Sequence, residues 1–401
     1  MYYHFFFSII VYMTVPFAGL FIKNHRNYTD QTVRRAYGIL CSVTGIFLNM
    51  ILFAGKLSAG LLAKSVAMEA DAFNNLSDAA SSIISLLGFK LSGKKPDASH
   101  PFGHGRLEYI AGLAISFLIL MMALELGKSA FSSVINPVPV NGGRLQILVL
   151  AGSILVKLYM YLYNHGTGKK INSPTMEAVA KDSLSDMIST FVVILSIIIS
   201  RFSNLQVDGF CGLFVALFIL KTGIESAKET IDPLLGLPPN REFVEAIEKE
   251  VLSHKPIVGI HDMIVHDYGP GRIYISLHAE VPGSENIFDL HEVIDETEVS
   301  IAEKFNCLIS IHMDPIDMEN ERLKVLKQLA RQVAMEVDEN ITIHDVRMVP
   351  GEKSTNLIFD AVRPHDCRFS KEELKKELSE RIHNAENDVN CVITIDDPFV
   401  N

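Results

Sequence analysis

Residues 180–191 read Ala180-Lys-Asp-Ser-Leu-Ser-Asp-Met-Ile-Ser-Thr-Phe191 and continue without charge to Ile199. Asp182 and Asp186 are four apart, so a helix sets both carboxylates on one face, one turn from each other. The rest of the stretch is apolar enough to lie in a bilayer, where a carboxylate is costly and marks function. Working outward, Ala70-Asp-Ala-Phe-Asn-Asn-Leu-Ser-Asp-Ala-Ala-Ser-Ser82 answers it. Leu76-Ser77-Asp78 repeats Leu184-Ser185-Asp186, and Asn74 precedes Asp78 by one turn as Asp182 precedes Asp186. One such acid is as readily a lysine partner or a cap as a ligand. Two matched pairs on two helices predict a four-ligand oxygen site for a divalent cation.

The composition agrees with a membrane domain joined to a soluble one. Hydrophobic residues make up 48% of the 401, yet 21% are charged and the net charge is -11. The apolar residues concentrate in the first half and the acidic excess in the second. No basic stripe is present, which argues against nucleic acid as a partner. Five cysteines (Cys41, Cys211, Cys307, Cys367, Cys391) form no CxxC pair and read as reduced, buried small hydrophobes. Without a G-x-x-x-x-G-K-S/T loop, a G-x-S-x-G or an H-E-x-x-H, ATP hydrolysis and the common hydrolase chemistries find no support.

Six transmembrane helices are expected, at about 38–55, 65–89, 107–126, 145–163, 175–199 and 207–220, the last of them short. Lys90, Lys94, Lys95, Arg106, Lys169 and Lys170 fall in alternate loops, while Ser132–Gly143 carries no charge. By the positive-inside rule, both termini are cytoplasmic. Residues 1–35 form an apolar, then basic segment. Within it, Phe5–Ile22 reads as a signal segment, an extra span or a start-site artefact, with no clear cleavage pattern for a secretory signal.

After residue 230 the pattern becomes soluble and alternating. The order αββαβ is expected over 231–317 and again over 318–401, two tandem α+β domains of ferredoxin or metallochaperone-like type. Ile260-His-Asp262 recurs as Ile343-His-Asp345, and Asn306-Cys-Leu-Ile-Ser-Ile311 as Asn390-Cys-Val-Ile-Thr-Ile395. Two further ligand sets appear. Asp97, His100 and His104 crowd one loop between the second and third spans, and His261, His278, His312 and Asp314 fall on or beside strands of the first repeat. The second repeat keeps His344 at the place of His261, with Asp360 for His278 and Asp396 for His312. Its site is expected to be degraded and its role structural.

From about Ala36 to Asp317 the chain resembles the cation diffusion facilitator family, as a manganese-type bacterial member. The resemblance rests on Ala70–Asp78, His100-Pro-Phe-Gly-His-Gly-Arg106, Asp182-Ser-Leu-Ser-Asp186 and the αββαβ domain ending Ile311-His-Met-Asp-Pro315. It implies a six-helix transmembrane transport domain over 36–230, a cytoplasmic dimerisation and metal-binding domain, a homodimer in the plasma or inner membrane, and proton-coupled export of divalent metal. It implies no enzymatic activity and no prosthetic group; the cation is substrate and regulatory ligand. Carried over residue by residue, the transport site is Asn74, Asp78, Asp182 and Asp186. The loop site is Asp97, His100 and His104, and the domain site His261, His278, His312 and Asp314. The second αββαβ copy is an addition to the family plan. Zinc exporters of the family usually hold histidine in the transport quartet; here there is none. Oxygen donors favour manganese(II) first and iron(II) second, since zinc prefers nitrogen and sulfur. A zinc or cadmium exporter of the same family is the alternative. A membrane-embedded metalloenzyme or a metal sensor anchored by its helices is the alternative of another class.

Overall fold

A computed structural model describes residues 18–63, 66–136, 144–203, 208–350, 354–364 and 366–398. Two compact units emerge, Met1–Leu237 with Tyr268–Gly271, and Pro238–Asp267 with Arg272–Asn401. Of the first apolar run only its end is described, as the short helix α1 (Ala18–Phe21); the rest of the Phe5–Ile22 segment lies outside the described residues.

Six long helices follow: α2 (Gln31–Ala63), α3 (Val66–Ser92), α4 (Leu107–Ile135), α5 (Arg144–Ile171), α6 (Pro174–Ser203) and α7 (Asp208–Leu235). Among the described residues, four stretches are long and apolar enough to cross a membrane: Gln31–Ala59, Leu107–Ile135, Ile147–Ile171 and Gly209–Leu235. The two helices that fall short are α3 and α6, whose acid pairs lower their hydropathy. The last span is not short: α7 runs 28 residues, because Lys221 to Asp232 continues as helix beyond the apolar window. Phe47, Met121, Leu148, Leu155 and Phe214 are exposed, as lipid-facing side chains are when no bilayer is present.

Small and hydroxylated residues bring these helices together. Ser42 on α2 donates to Ser85 on α3 at 2.9 Å, and Ser116 on α4 to Ser226 on α7 at 2.9 Å. A Cβ at Gly38 would stand 2.4 Å from the Phe89 ring, so only glycine admits that contact. Such close approach is how helices pack where lipid offers no hydrophobic drive. One end of the bundle is tied by a buried ion pair. The Arg34 guanidinium on α2 donates to both Glu108 oxygens at 2.6 and 2.7 Å, and its Nε to the Ile171 carbonyl at 2.6 Å. Ser173 Oγ donates to Glu108 Oε1 at 2.6 Å. Glu108 is completely buried, and this two-pronged, fully satisfied geometry is what a buried carboxylate requires.

In the second unit, α8 (Arg241–Val251), β1 (Gly259–Asp267), β2 (Ile273–Pro282), α9 (Ile287–Phe305) and β3 (Leu308–Ile316) form the first αββαβ repeat. The second comprises α10 (Glu321–Val337), β4 (Thr342–Pro350), β5 (Thr355–Val362), α11 (Lys371–Ala385) and β6 (Val389–Asp396). Each sheet has its second strand central, antiparallel to the first and parallel to the third. Asn240, Asn286, Asn320 and Ser370 cap the four helices by accepting from backbone N–H groups in the first turn. Alternation along the central strands sorts the faces. Ile275, Leu277, Ala279 and Val281 point into one core, and Leu357, Phe359 and Ala361 into the other. His278 and Asp360 therefore lie on the face turned away from the helices.

The pairing register corrects one sequence alignment between the repeats. His261 faces His278, which faces His312; His344 faces Asp360, which faces Thr394. Thr394, not Asp396, stands at the place of His312, and Asp396 matches Asp314. Both first strands carry an irregularity directly after the histidine, with Asp262 and Asp345 left-handed at φ 49° and 50°. Aspartate tolerates that region better than most side chains do.

Candidate metal centres

Three helices bring the intramembrane polar groups to one level. Asp78 stands 14 residues before the end of α3, Lys157 14 before the end of α5, and Asp186 12 after the start of α6. At 1.5 Å per residue each lies about 20 Å along its helix, deep in a hydrocarbon layer about 30 Å thick. Asp78, Asp182 and Asp186 are all buried and offer carboxylate oxygens within 4.8 Å of one another. Asn74 lines a cavity of about 510 Å3 together with Asp78 and Asp186. Asp182 is not among the residues that line it.

Sequence reading missed the group at the centre of the site. Lys157, on the fourth long helix, is buried and donates to Asp78 Oδ2 at 2.7 Å and to Asp186 Oδ2 at 2.6 Å. Three carboxylates packed this closely repel one another; an ammonium between two of them offsets that repulsion. Lys56 and Glu125, also missed, line the same cavity. The signal was present, since a lysine within an apolar span has to find an anion.

In the loop between α3 and α4, Asp97 collects both histidines: His100 Nδ1 is 3.4 Å from Oδ1 and His104 Nε2 3.4 Å from Oδ2. The N–H of His100 and that of Ser99 hold the Asp97 carboxyl below its ordinary pKa. His104 Nδ1 is buried without a hydrogen-bond partner. In the first soluble repeat Asp314 is the hub, with Oδ2 3.1 Å from His261 Nε2 and 2.9 Å from His278 Nδ1, and Oδ1 3.2 Å from His312 Nε2. Both predicted sets thus converge. Asp262, not foreseen as a ligand, joins His261 and His278 within metal-holding distance.

Burial works against the charged form of His261, yet hydrogen bonding and charge from Asp262, with Asp314 and Glu280, outweigh it and raise its pKa. The hydrogen bond from His261 lowers that of Asp262 in turn. The second repeat does not stand apart from this cluster. The His344 ring stacks on His261, with centroids 4.6 Å apart, and its Nε2 lies 3.5 Å from Asp262 Oδ1. Burial raises the pKa of Asp396, and its acidic neighbours Asp360 and Asp262 raise it further.

Comparison with known proteins places these sites in context. Residues 42–235 match the cation efflux transmembrane domain and residues 239–316 the cytoplasmic domain of cation efflux proteins. An uncharacterized transporter of Methanocaldococcus jannaschii is 32% identical over 284 residues, 70% of this chain and 98% of the relative. The manganese efflux system protein MneS of Bacillus subtilis is 28% identical over 72% of this chain and 99% of its own. A cation-efflux pump, FieF, of Shewanella oneidensis is 25% identical over 70% and 95%. The matched domains end at residue 316, before the second repeat begins.

Proposed function

The chain belongs to the cation efflux family, and from that premise we propose that it is a manganese(II)/proton antiporter, with iron(II) as the second cargo. The family moves divalent cations and does not transform them. The observation that carries the reading is the buried meeting of Asp78, Asp182 and Asp186, with Asp78 and Asp186 lining a cavity between the helices. With Asn74 they make an all-oxygen donor set, suited to manganese in a larger coordination shell and poor in the nitrogen and sulfur that zinc favours. Ligand carboxylates hold the ion only when deprotonated, so metal and protons compete for one site.

Lysine and arginine in alternate loops put both termini and the Asp97, His100, His104 loop in the cytoplasm. On that orientation the cavity lining includes Lys56 late in α2, Ser129 late in α4 and Leu150 early in α5, the helix ends that lie away from the cytoplasm. The Arg34–Glu108 pair ties the helices together at the opposite end. Such an arrangement would suit a carrier that discharges its cargo outward. His261, His278, His312 and Asp314 form a regulatory metal site, and the cytoplasmic domains pair two copies into a homodimer, biasing the transport equilibrium when metal binds.

Purified protein in vesicles under an imposed pH gradient tests the reading. Manganese flux should follow the gradient, collapse with a protonophore and vanish in Asp186→Ala. Strong zinc flux without manganese flux would overturn the assignment of cargo.

A further inference from the structure

The two repeats face each other through charged and imidazole groups, and the second repeat lies beyond the matched domains, which end at residue 316. His344 is 8% exposed, and neither of its ring nitrogens makes a hydrogen bond. It does not point into its own apolar core. Its Nε2 is turned to Asp262 of the first repeat at 3.5 Å. A buried imidazole with both nitrogens unused is costly, so its place beside Asp262 calls for a partner.

The register supplies those acids. His344 is paired with Asp360 across β4 and β5, and Asp396 stands one strand further, two residues beyond the partner of Asp360. This is the disposition of His261, His278 and Asp314 in the first repeat, with carboxylate in place of one imidazole. Asp360 and Asp262 are the acids whose charge bears most on Asp396, while His344 and Lys371 oppose them. The left-handed backbone at Asp262 turns its carboxylate out of the strand, with Oδ2 to His261 Nδ1 at 3.3 Å and Oδ1 to His344. One carboxylate therefore bridges the two repeats.

We propose that the second repeat carries its own cation site, made of His344, Asp360 and Asp396 and closed by Asp262 of the first repeat, for a divalent first-row transition metal. One imidazole and three carboxylates are a harder donor set than the three histidines and one carboxylate of the first repeat, which favours manganese(II) or iron(II) over zinc. The bridging Asp262 makes occupancy of this site a clamp between the repeats. The site is independent of export and of the transport quartet.

Manganese(II) binding to the full chain in detergent, in an Asp186→Ala background, tests it by equilibrium dialysis and electron spin resonance. His344→Gln and Asp396→Asn should each remove one bound manganese per chain, and the manganese-induced rise in melting temperature should shrink. In the unsubstituted background, nitrogen hyperfine coupling to manganese should weaken when His344 is replaced. Should His344→Gln lower the metal-free melting temperature sharply, Asp396→Asn decides alone. Equal stoichiometry and affinity in the Asp396→Asn protein and the background would overturn the proposal, while leaving the transport reading untouched.

Discussion

Replacing Lys157 tests how the empty carrier is held together. Its ammonium makes two buried contacts, 2.7 Å to Asp78 and 2.6 Å to Asp186. Removing one partner of a buried ion pair costs about 3–5 kcal/mol, because the remaining charges are left uncompensated. In Lys157→Met the metal-free protein should lose roughly that much stability. A divalent cation bound by the same oxygens restores compensation, so the loss should largely vanish at saturating manganese. Since the ion no longer displaces an ammonium, binding should tighten. Recovering about 3 kcal/mol of the penalty corresponds to roughly 100-fold in Kd. Calorimetric titration of the purified protein with manganese, beside melting curves with and without metal, reads both effects. Manganese affinity that stays the same or weakens in Lys157→Met, with metal-free stability unaltered, would refute the idea that Lys157 stands in for the cargo.

Three further outcomes are expected. Asp182→His introduces an imidazole into the quartet and should raise zinc flux relative to manganese flux in vesicles, whereas Asp186→Ala should abolish both. Glu108→Gln leaves Arg34 buried with a weaker acceptor and should lower the melting temperature by the equivalent of about 2–4 kcal/mol, read by a thermal shift in detergent. Glu250, bonded to Lys304 and to Ser300 Oγ, has its pKa lowered chiefly by Lys304; its contribution is therefore present at neutral pH and lost as pH falls through the folded-state value, below the usual glutamate pKa of about 4.3. Glu250→Gln should flatten the acid limb of the stability curve there, and an unchanged limb would rule the contact out as a contributor.

The polar pairs on α3 and α6 were legible because four-residue spacing on an apolar helix leaves few alternatives to a shared face. The αββαβ order was equally legible, since alternation, turn residues and the returning Ile-His-Asp triplet agree with one another. Lys157 was not read, because a lone lysine in a span reveals its anions only once three helices are brought to one depth. In the sequence Arg34 falls in the basic part of residues 1–35 and Glu108 at the start of the 107–126 span; their pairing is set by tertiary approach across 74 residues. The alignment of β3 with β6 slipped by two residues for a plain reason. Strand side chains alternate with period two, so a two-residue shift keeps every apolar residue on its proper face and the pattern cannot detect it. Only the hydrogen-bonded register reveals Thr394 opposite Asp360.

The Arg34–Glu108 pair bears on how rarely the carrier would turn round unprompted. It joins α2 to α4 and, through the Ile171 carbonyl and Ser173, to the turn between α5 and α6. Parting these helices at that end exposes a guanidinium and a carboxylate that were fully satisfied. If water regains only part of the loss, a penalty of about 4 kcal/mol leaves roughly one molecule in a thousand open to that side at rest. A leak of cations through the idle protein is then limited by two charges far from the proposed cation site, and the exchange rate becomes adjustable at Arg34 and Glu108 without any change to the proposed ligands.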